Sequence, residues 1–220
     1  MQVSDARLAT ARTNMVDGQI RPNKVTDIAI LAAFLDVPRE SFAPTRFRDV
    51  AYVDETLSFG GGRYLTEPAV LARLLQAALP RPTERALIIG GGSGYSAAIL
   101  ARLVSSVIVV EQDAALLAQA RMQLAHVTNV TLRQGALVDG AADAAPFDVI
   151  LIDGAVEQIP AALDAQLAES GRLVTVRREN GTLGRAILRE RDGGALSTRV
   201  LFDAGTPVLP GFERGQEFSL

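Results

Sequence analysis

From residue 84 onward the chain alternates short apolar runs with helix-like stretches, and few folds accommodate that order. "RALIIG" is apolar and ends in glycine, as a strand buried on both faces does. "SAAILARLV" follows with helical spacing, then "SVIVVE", a second apolar run closed by Glu111. "AALLAQARMQLAHV" predicts a helix, "NVTLRQG" a third strand and "FDVILIDG" a fourth. "IPAALDAQLAES" predicts a helix with Gly171 just past its end, and "GRLVTVRR" a fifth strand. Strands separated by helices imply a parallel sheet covered on both faces. Two strand-like runs around Asp192, Gly193 and Gly194 then predict a hairpin, which adds one antiparallel strand at the edge. The expected fold class is α/β: Rossmann-like, doubly wound, with a mostly parallel seven-stranded sheet and an antiparallel edge hairpin.

Residues 1–80 read differently. "DARLATARTNMVDGQI", "TDIAILAAFLDV" and the amphipathic "EPAVLARLLQAAL" predict helices, with the glycine-rich, irregular "RDVAYVDETLSFGGGRYLTEP" between them. The sequence has no low-complexity linker and no internal repeat. The expectation is a single domain over 1–220, an N-terminal helical extension of residues 1–80 packed on a core of residues 81–220.

Composition excludes several function classes. Among 220 residues the net charge is −3, without the basic excess of a general nucleic-acid binder. There are no cysteines, hence no disulfide, thiol nucleophile or thiolate metal site. "MQVSDARLATARTNM" lacks the apolar core of a secretory signal, and no apolar run is long enough to span a bilayer. A cytoplasmic protein is expected, with neither nucleic acid nor membrane as partner.

The chemistry concentrates in "ALIIGGGSGYSAAIL". Gly90, Gly92 and Gly94 follow a strand and open a helix, where free N–H groups and side-chain-free backbone can approach a nucleotide-like ligand. A dinucleotide fingerprint needs glycine at the last position of G-x-G-x-x-G, and that position is Tyr95. Glu111, ending the second strand, has two readings: acceptor for both ribose hydroxyls of an adenosine-bearing cofactor, or a solvated strand end.

With these features in order, the chain resembles a class I S-adenosylmethionine-dependent methyltransferase. "MVDGQIR", "VPRESFAP", "AYVDETLSFGGGRYLTEP", "ERALIIGGGSGYSAAILARL" and "APFDVILIDGAVEQIPAALDAQLAESGRLV" narrow the resemblance to the protein-L-isoaspartate O-methyltransferase family, over about residues 12–176. The resemblance implies S-adenosylmethionine as cofactor and isoaspartyl-containing proteins or peptides as substrate. It leaves the oligomeric state open. The implied reaction is methyl transfer to a carboxylate already ionised at neutral pH, so a chain with a single histidine, His126, lacks nothing it needs. Alignment and exclusion of water are what such a protein supplies.

The resemblance also implies roles by position. Thr66 falls on the family's hydroxyl residue near the substrate carboxylate and is the candidate catalytic residue; its other reading is a helix N-cap before Glu67-Pro68. Asp54, Gly62, Arg63, Tyr64 and Leu65 fall in the substrate loop. The cofactor candidates are Gly90, Gly91, Gly92, Ser93, Gly94, Tyr95, Glu111, Gln112, Gly135, Ala136 and Asp153. The family pattern is broken at four of its places. Arg63 and Tyr64 replace a glutamine and a threonine, Ile88 an acid before the glycine turn, and Ala136 an acid after the third strand. Asp153 and Asp139 are possible substitutes for the lost acids. Arg63 is either a partner for an anionic substrate group or a solvated loop cation. The departures keep two alternatives open, a non-catalytic relative and a methyltransferase for another acceptor. A metal site is not expected: Asp153 would need an Asp-Asn pair after the fifth strand, and the nearest residues, Glu179 and Asn180, come about two residues late.

Overall fold

The computed structural model describes residues 4–178 and 183–213. Its centre is a seven-stranded sheet: β3 (Arg85–Ile89), β4 (Ser106–Glu111), β5 (Val130–Gln134), β6 (Phe147–Val156), β7 (Leu167–Arg177), β8 (Gly184–Asp192) and β9 (Ala195–Ala204), in the order β5-β4-β3-β6-β7-β8-β9. β3 to β7 pair in parallel, and β8 runs antiparallel to both of its neighbours. The antiparallel strand therefore lies one place in from the edge, which belongs to β9. The turn between them uses Gly193 and Gly194, both at positive φ.

Alternation along β3 divides the core into two. Ala86 and Ile88 join the cluster shared with the N-terminal helices, while Leu87 and Ile89 join the one on the opposite face with Phe147, Ile150 and Leu163. Both sets are fully buried, which is why the strand reads as a continuous apolar run. Connections lead from β3 outward through β4 to β5, then back across β3 to β6. That reversal leaves a crevice at the carboxyl ends of β3, β4 and β6, where open α/β sheets place their ligands.

The first eighty residues form α1 (Asp5–Met15), α2 (Ile28–Asp36) and α3 (Pro68–Ala78), all three contributing to the cluster on the Ile88 face. α3 buries Leu71, Leu74, Leu75 and Ala78, a 3.6-residue stripe worth about 2 kcal/mol for each fully buried leucine. It ends at Leu79 in a left-handed conformation (φ 45°), and Arg172 of β7 donates to the freed carbonyls of Ala78 and Leu79. The segment expected to be irregular contains a hairpin, β1 (Leu57–Gly60) with β2 (Arg63–Leu65), turned through Gly60, Gly61 and Gly62 at positive φ.

Helix lengths differ from the sequence expectation in two places. The helix after the glycine turn, α4, covers only Tyr95–Leu100. The alanine-rich stretch after β6 supplies a single turn, α6 (Ala161–Asp164), and β7 already begins at Leu167. Gly171 consequently lies inside β7 rather than after a helix. Gln166 explains the early stop: its side chain bonds Ala141 N–H and the carbonyls of Asp139 and Ala162, fixing the chain against the preceding loop. α5 (Ala114–Gln123) forms as expected, capped by Asp113, and His126 lies exposed beyond its end.

Candidate active site

The glycine turn is built from three positive-φ glycines, Gly90 (73°), Gly92 (55°) and Gly94 (98°). Close packing under the turn requires another: a Cβ on Gly91 would overlap Val109. Residues 90–100 are all buried. Ser93 donates its hydroxyl to the Phe42 carbonyl at 2.6 Å, tying the turn to the N-terminal extension. Tyr95 packs edge-on to Phe34 and tilted to Phe42, with the Arg39 guanidinium 5.1 Å from its ring centre. Burial pushes the Tyr95 phenol up to about 12, so it stays neutral. Ser93 and Tyr95 thus use their side chains to dock the extension against the turn.

Glu111, at the end of β4, is fully buried. Its Oε2 accepts from the Gly92 N–H at 2.8 Å and from Arg63 Nη2 at 2.6 Å, and its Oε1 accepts from the Asp113 N–H at 3.0 Å. Neither sequence reading of Arg63 anticipates this position. β2 alternates its side chains, so Arg63 and Leu65 point inward while Tyr64 is half-buried. The inward guanidinium also donates to the Gly90 carbonyl at 2.8 Å. Its exposure is only 3%, which rules out the solvated-cation reading. Nor is Glu111 a solvated strand end.

Thr66 and Asp153 meet across the crevice. The Thr66 hydroxyl donates to Asp153 Oδ1 at 2.6 Å. The N-cap reading of Thr66 is corrected: Glu67 occupies the N-cap of α3, no side chain caps it, and Pro68 starts the helix. Burial raises the Asp153 carboxyl above its ordinary value, against the opposing pull of the Ser96 and Thr66 hydroxyls and the Arg63 and Arg39 guanidiniums. Arg39 is fully buried, donates through Nε to the Ala51 carbonyl, and has no partner for Nη1 or Nη2. Sequence reasoning missed it. The stretch around it, "FLDVPRESF", mixes apolar and charged residues and carried no signal that this arginine is buried.

The remaining candidates are peripheral or structural. Asp54 is exposed and accepts from the Ala69 N–H at the start of α3. Gln112, Ala136 and Asp139 are exposed, Gly135 is half-buried, and Gly62 sits at the exposed hairpin turn with Pro210 above it. Ile88 is buried in the core. Glu179 and Asn180 lie outside the described residues. Among the described residues no cluster of metal-ligating side chains occurs.

One further element reaches the crevice. Residues 207–212 follow β9 and lie along the end of β6. Ala155 N–H donates to the Pro207 carbonyl at 2.9 Å, Leu209 N–H to the Ala155 carbonyl at 2.8 Å, and Glu157 N–H to the Phe212 carbonyl at 3.1 Å. Val208 to Phe212 thus lie against the carboxyl end of β6. Leu209 rests on Gly154, where a Cβ would overlap it, and its Cδ1 would stand 3.1 Å from a Cβ on Gly90.

A doubly wound sheet, a glycine turn after its first parallel strand, an acid ending the next and helices on both faces define a class I S-adenosylmethionine-dependent methyltransferase fold. The family model described as protein-L-isoaspartate(D-aspartate) O-methyltransferase matches residues 10–199. The chain belongs to that family. Relatives named protein-L-isoaspartate O-methyltransferase include one from Koribacter versatilis, 41% identical over 168 residues and 76% of each chain. Another, from Roseiflexus sp., is 39% identical over 207 residues, 92% of this chain and 94% of its own. A solved protein-L-isoaspartate O-methyltransferase superposes with a TM-score of 0.78 at 24% identity, over 91% of this chain and 66% of that one. A putative Plasmodium falciparum member, in complex with S-adenosyl-L-homocysteine, superposes with a TM-score of 0.77 at 18% identity, over 89% and 96%.

Proposed function

We propose that this chain carries out its family's reaction, methylation of the side-chain carboxylate of L-isoaspartyl residues in damaged proteins, with S-adenosylmethionine as donor. It is on this reading a carboxyl O-methyltransferase. The supporting observation is convergence: the glycine turn, Glu111 and the Thr66–Asp153 pair all meet at the carboxyl ends of β3, β4 and β6.

The residues fit the donor in kind. Three positive-φ glycines give the cradle, and the Glu111 carboxylate is placed for a ribose diol. The donor supplies an electrophilic methyl group. The chain supplies the rest without a general base. Thr66 is the residue assigned to position the acceptor carboxylate, its one hydroxyl proton turning from Asp153 to the substrate. Gly62 and Tyr64 are assigned to the wall along which a peptide lies, Arg63 and Leu65 hold that wall from its inward side, and Asp54 anchors it through the start of α3. Gly91, Ser93, Gly94 and Tyr95 keep the turn in shape, while Gln112, Gly135, Ala136 and Asp153 rim the adenosine side. A cytoplasmic setting accompanies this reading, and the net charge of −3, without a basic excess, supports the absence of a nucleic-acid partner. No described helix is long and apolar enough to cross a membrane.

A second reading has specific support. Ile88 and Ala136 stand where the family carries acids, and Arg63 stands on Glu111, as expected of a member that keeps the fold and not the turnover. Incubation with labelled S-adenosylmethionine and matched peptides, one isoaspartyl and one aspartyl, separates the two. Label entering only the isoaspartyl peptide supports the proposed function. Cofactor binding without label transfer sinks it and moves the assignment to another acceptor or to no turnover.

A further inference from the structure

We propose that the cofactor site of this chain is closed from within, by Arg63 on the ribose-binding acid and Leu209 on the glycine turn, and that S-adenosylmethionine binds only as these two side chains leave. The inference rests on the family reading for the identity of the ligand, and on this chain's own contacts for the closure.

A ribose diol would need acceptor capacity on Glu111. Oε2 already has both acceptor sites filled, by Arg63 Nη2 and the Gly92 N–H, and Oε1 keeps only one beside the Asp113 N–H, short of the two a diol uses. The guanidinium is not near the acid by accident of a long, exposed side chain. It is 3% exposed, springs from an inward position of a three-residue strand, and makes a second bond to the Gly90 carbonyl. A sulfonium cofactor adds a positive charge to a space that already holds one, so like-charge repulsion opposes the two being there together.

Leu209 closes the other side. Its side chain lies against both Gly90, just past β3, and Gly154, in the neighbouring strand β6. Backbone bonds on either side, Ala155 to Pro207 and Leu209 to Ala155, hold it there. Two separate segments, β2 and residues 207–212, therefore deliver one side chain each to the same crevice.

The closure is built to be reversible. Arg63 Nε and Nη1 are buried and have no partner, and the nearby Arg39 Nη1 and Nη2 are likewise unpartnered. Groups left in that state favour any rearrangement that gives them acceptors or water. A permanently filled core would have dispensed with them.

Calorimetric titration with S-adenosylhomocysteine tests this on the full chain, using wild type, R63Q and L209A. Arg63→Gln frees Glu111 from its ion pair while keeping a polar side chain. Leu209→Ala opens the turn without touching any charge, so it remains informative if R63Q folds poorly. Circular dichroism confirms the fold of each variant. The expected result is at least tenfold tighter binding by L209A and by any folded R63Q than by wild type. Equal affinity in wild type and the folded variants overturns the proposal, as does an absence of binding in all of them. The isoaspartyl reading fails separately: L209A that binds S-adenosylhomocysteine and methylates no isoaspartyl peptide defeats the function and leaves the closure standing.

Discussion

Asp153 is an ionisable group whose burial works against it. Its folded-state pKa lies above the unfolded value, so its ionisation costs stability as pH rises from the unfolded pKa through the folded one. Asp153→Asn removes that cost and still accepts from Thr66. The variant is expected to be at least as stable as wild type at pH 7 in urea titration, with the advantage vanishing at pH values below the ordinary aspartate range. Thr66→Ala leaves one buried carboxylate oxygen without its hydroxyl donor, and is expected to destabilise by about 1–3 kcal/mol in the same titration. The two substitutions should not add, since Thr66→Ala strands a buried carboxylate in the wild-type background but only a neutral amide oxygen once Asp153→Asn is present; the double-mutant cycle measures this. Sequence alone identified both residues as candidates but not their partnership, because positions 66 and 153 are brought together only by the way the extension lies across the sheet.

Among the elements, the central parallel strands β3, β4 and β6 were legible because burial makes each an apolar run bounded by turn residues, while the half-exposed edge strand β5 was legible from its β-branched start and closing glycine. β3, β4, β5 and β6 form where those runs predict them. α6 was not legible: an alanine- and leucine-rich stretch satisfies helical spacing, while the Gln166 bonds that stop it are long-range. The same applies to Arg63, whose partner is forty-eight positions away. A third long-range contact ties β7 to the end of α3 and to the turn before β3. Arg172 of β7 grips Glu84 through two nitrogens, at 2.7 and 3.0 Å. Burial alone would raise the Glu84 carboxyl, but Arg172 and the Arg81 N–H outweigh it and hold the group below its ordinary value. The pair therefore stabilises the fold above the unfolded glutamate pKa, and that contribution is lost as pH falls through the folded pKa. Arg172→Met is expected to cost about 3 kcal/mol at pH 7, shrinking in acid as Glu84 takes up a proton. Denaturant midpoints at pH 7 and pH 4 check both the size and the sign.

For the molecule as a whole, we propose that residues 1–80 and the sheet form one domain. One apolar cluster runs from Leu8 through Ile88 to Ala204, with no break between the extension and the strands. Unfolding should then be a single transition, with far-ultraviolet circular dichroism and tyrosine fluorescence giving the same midpoint. Tyr52 and Tyr95 report on the extension and its junction with the glycine turn. Two separated midpoints would divide the chain near residue 80.

The segment carrying Leu209 also has a place in time. A chain is made from its N-terminus, so Gly90, Glu111 and Gly154 all leave the ribosome before Leu209 exists. Until then the glycine turn lacks one of the two side chains that cover it, and only Arg63 stands over the acid. The newborn protein thus passes through a stage in which the turn is less covered than in the finished one, and that stage cannot end before Leu209 is made.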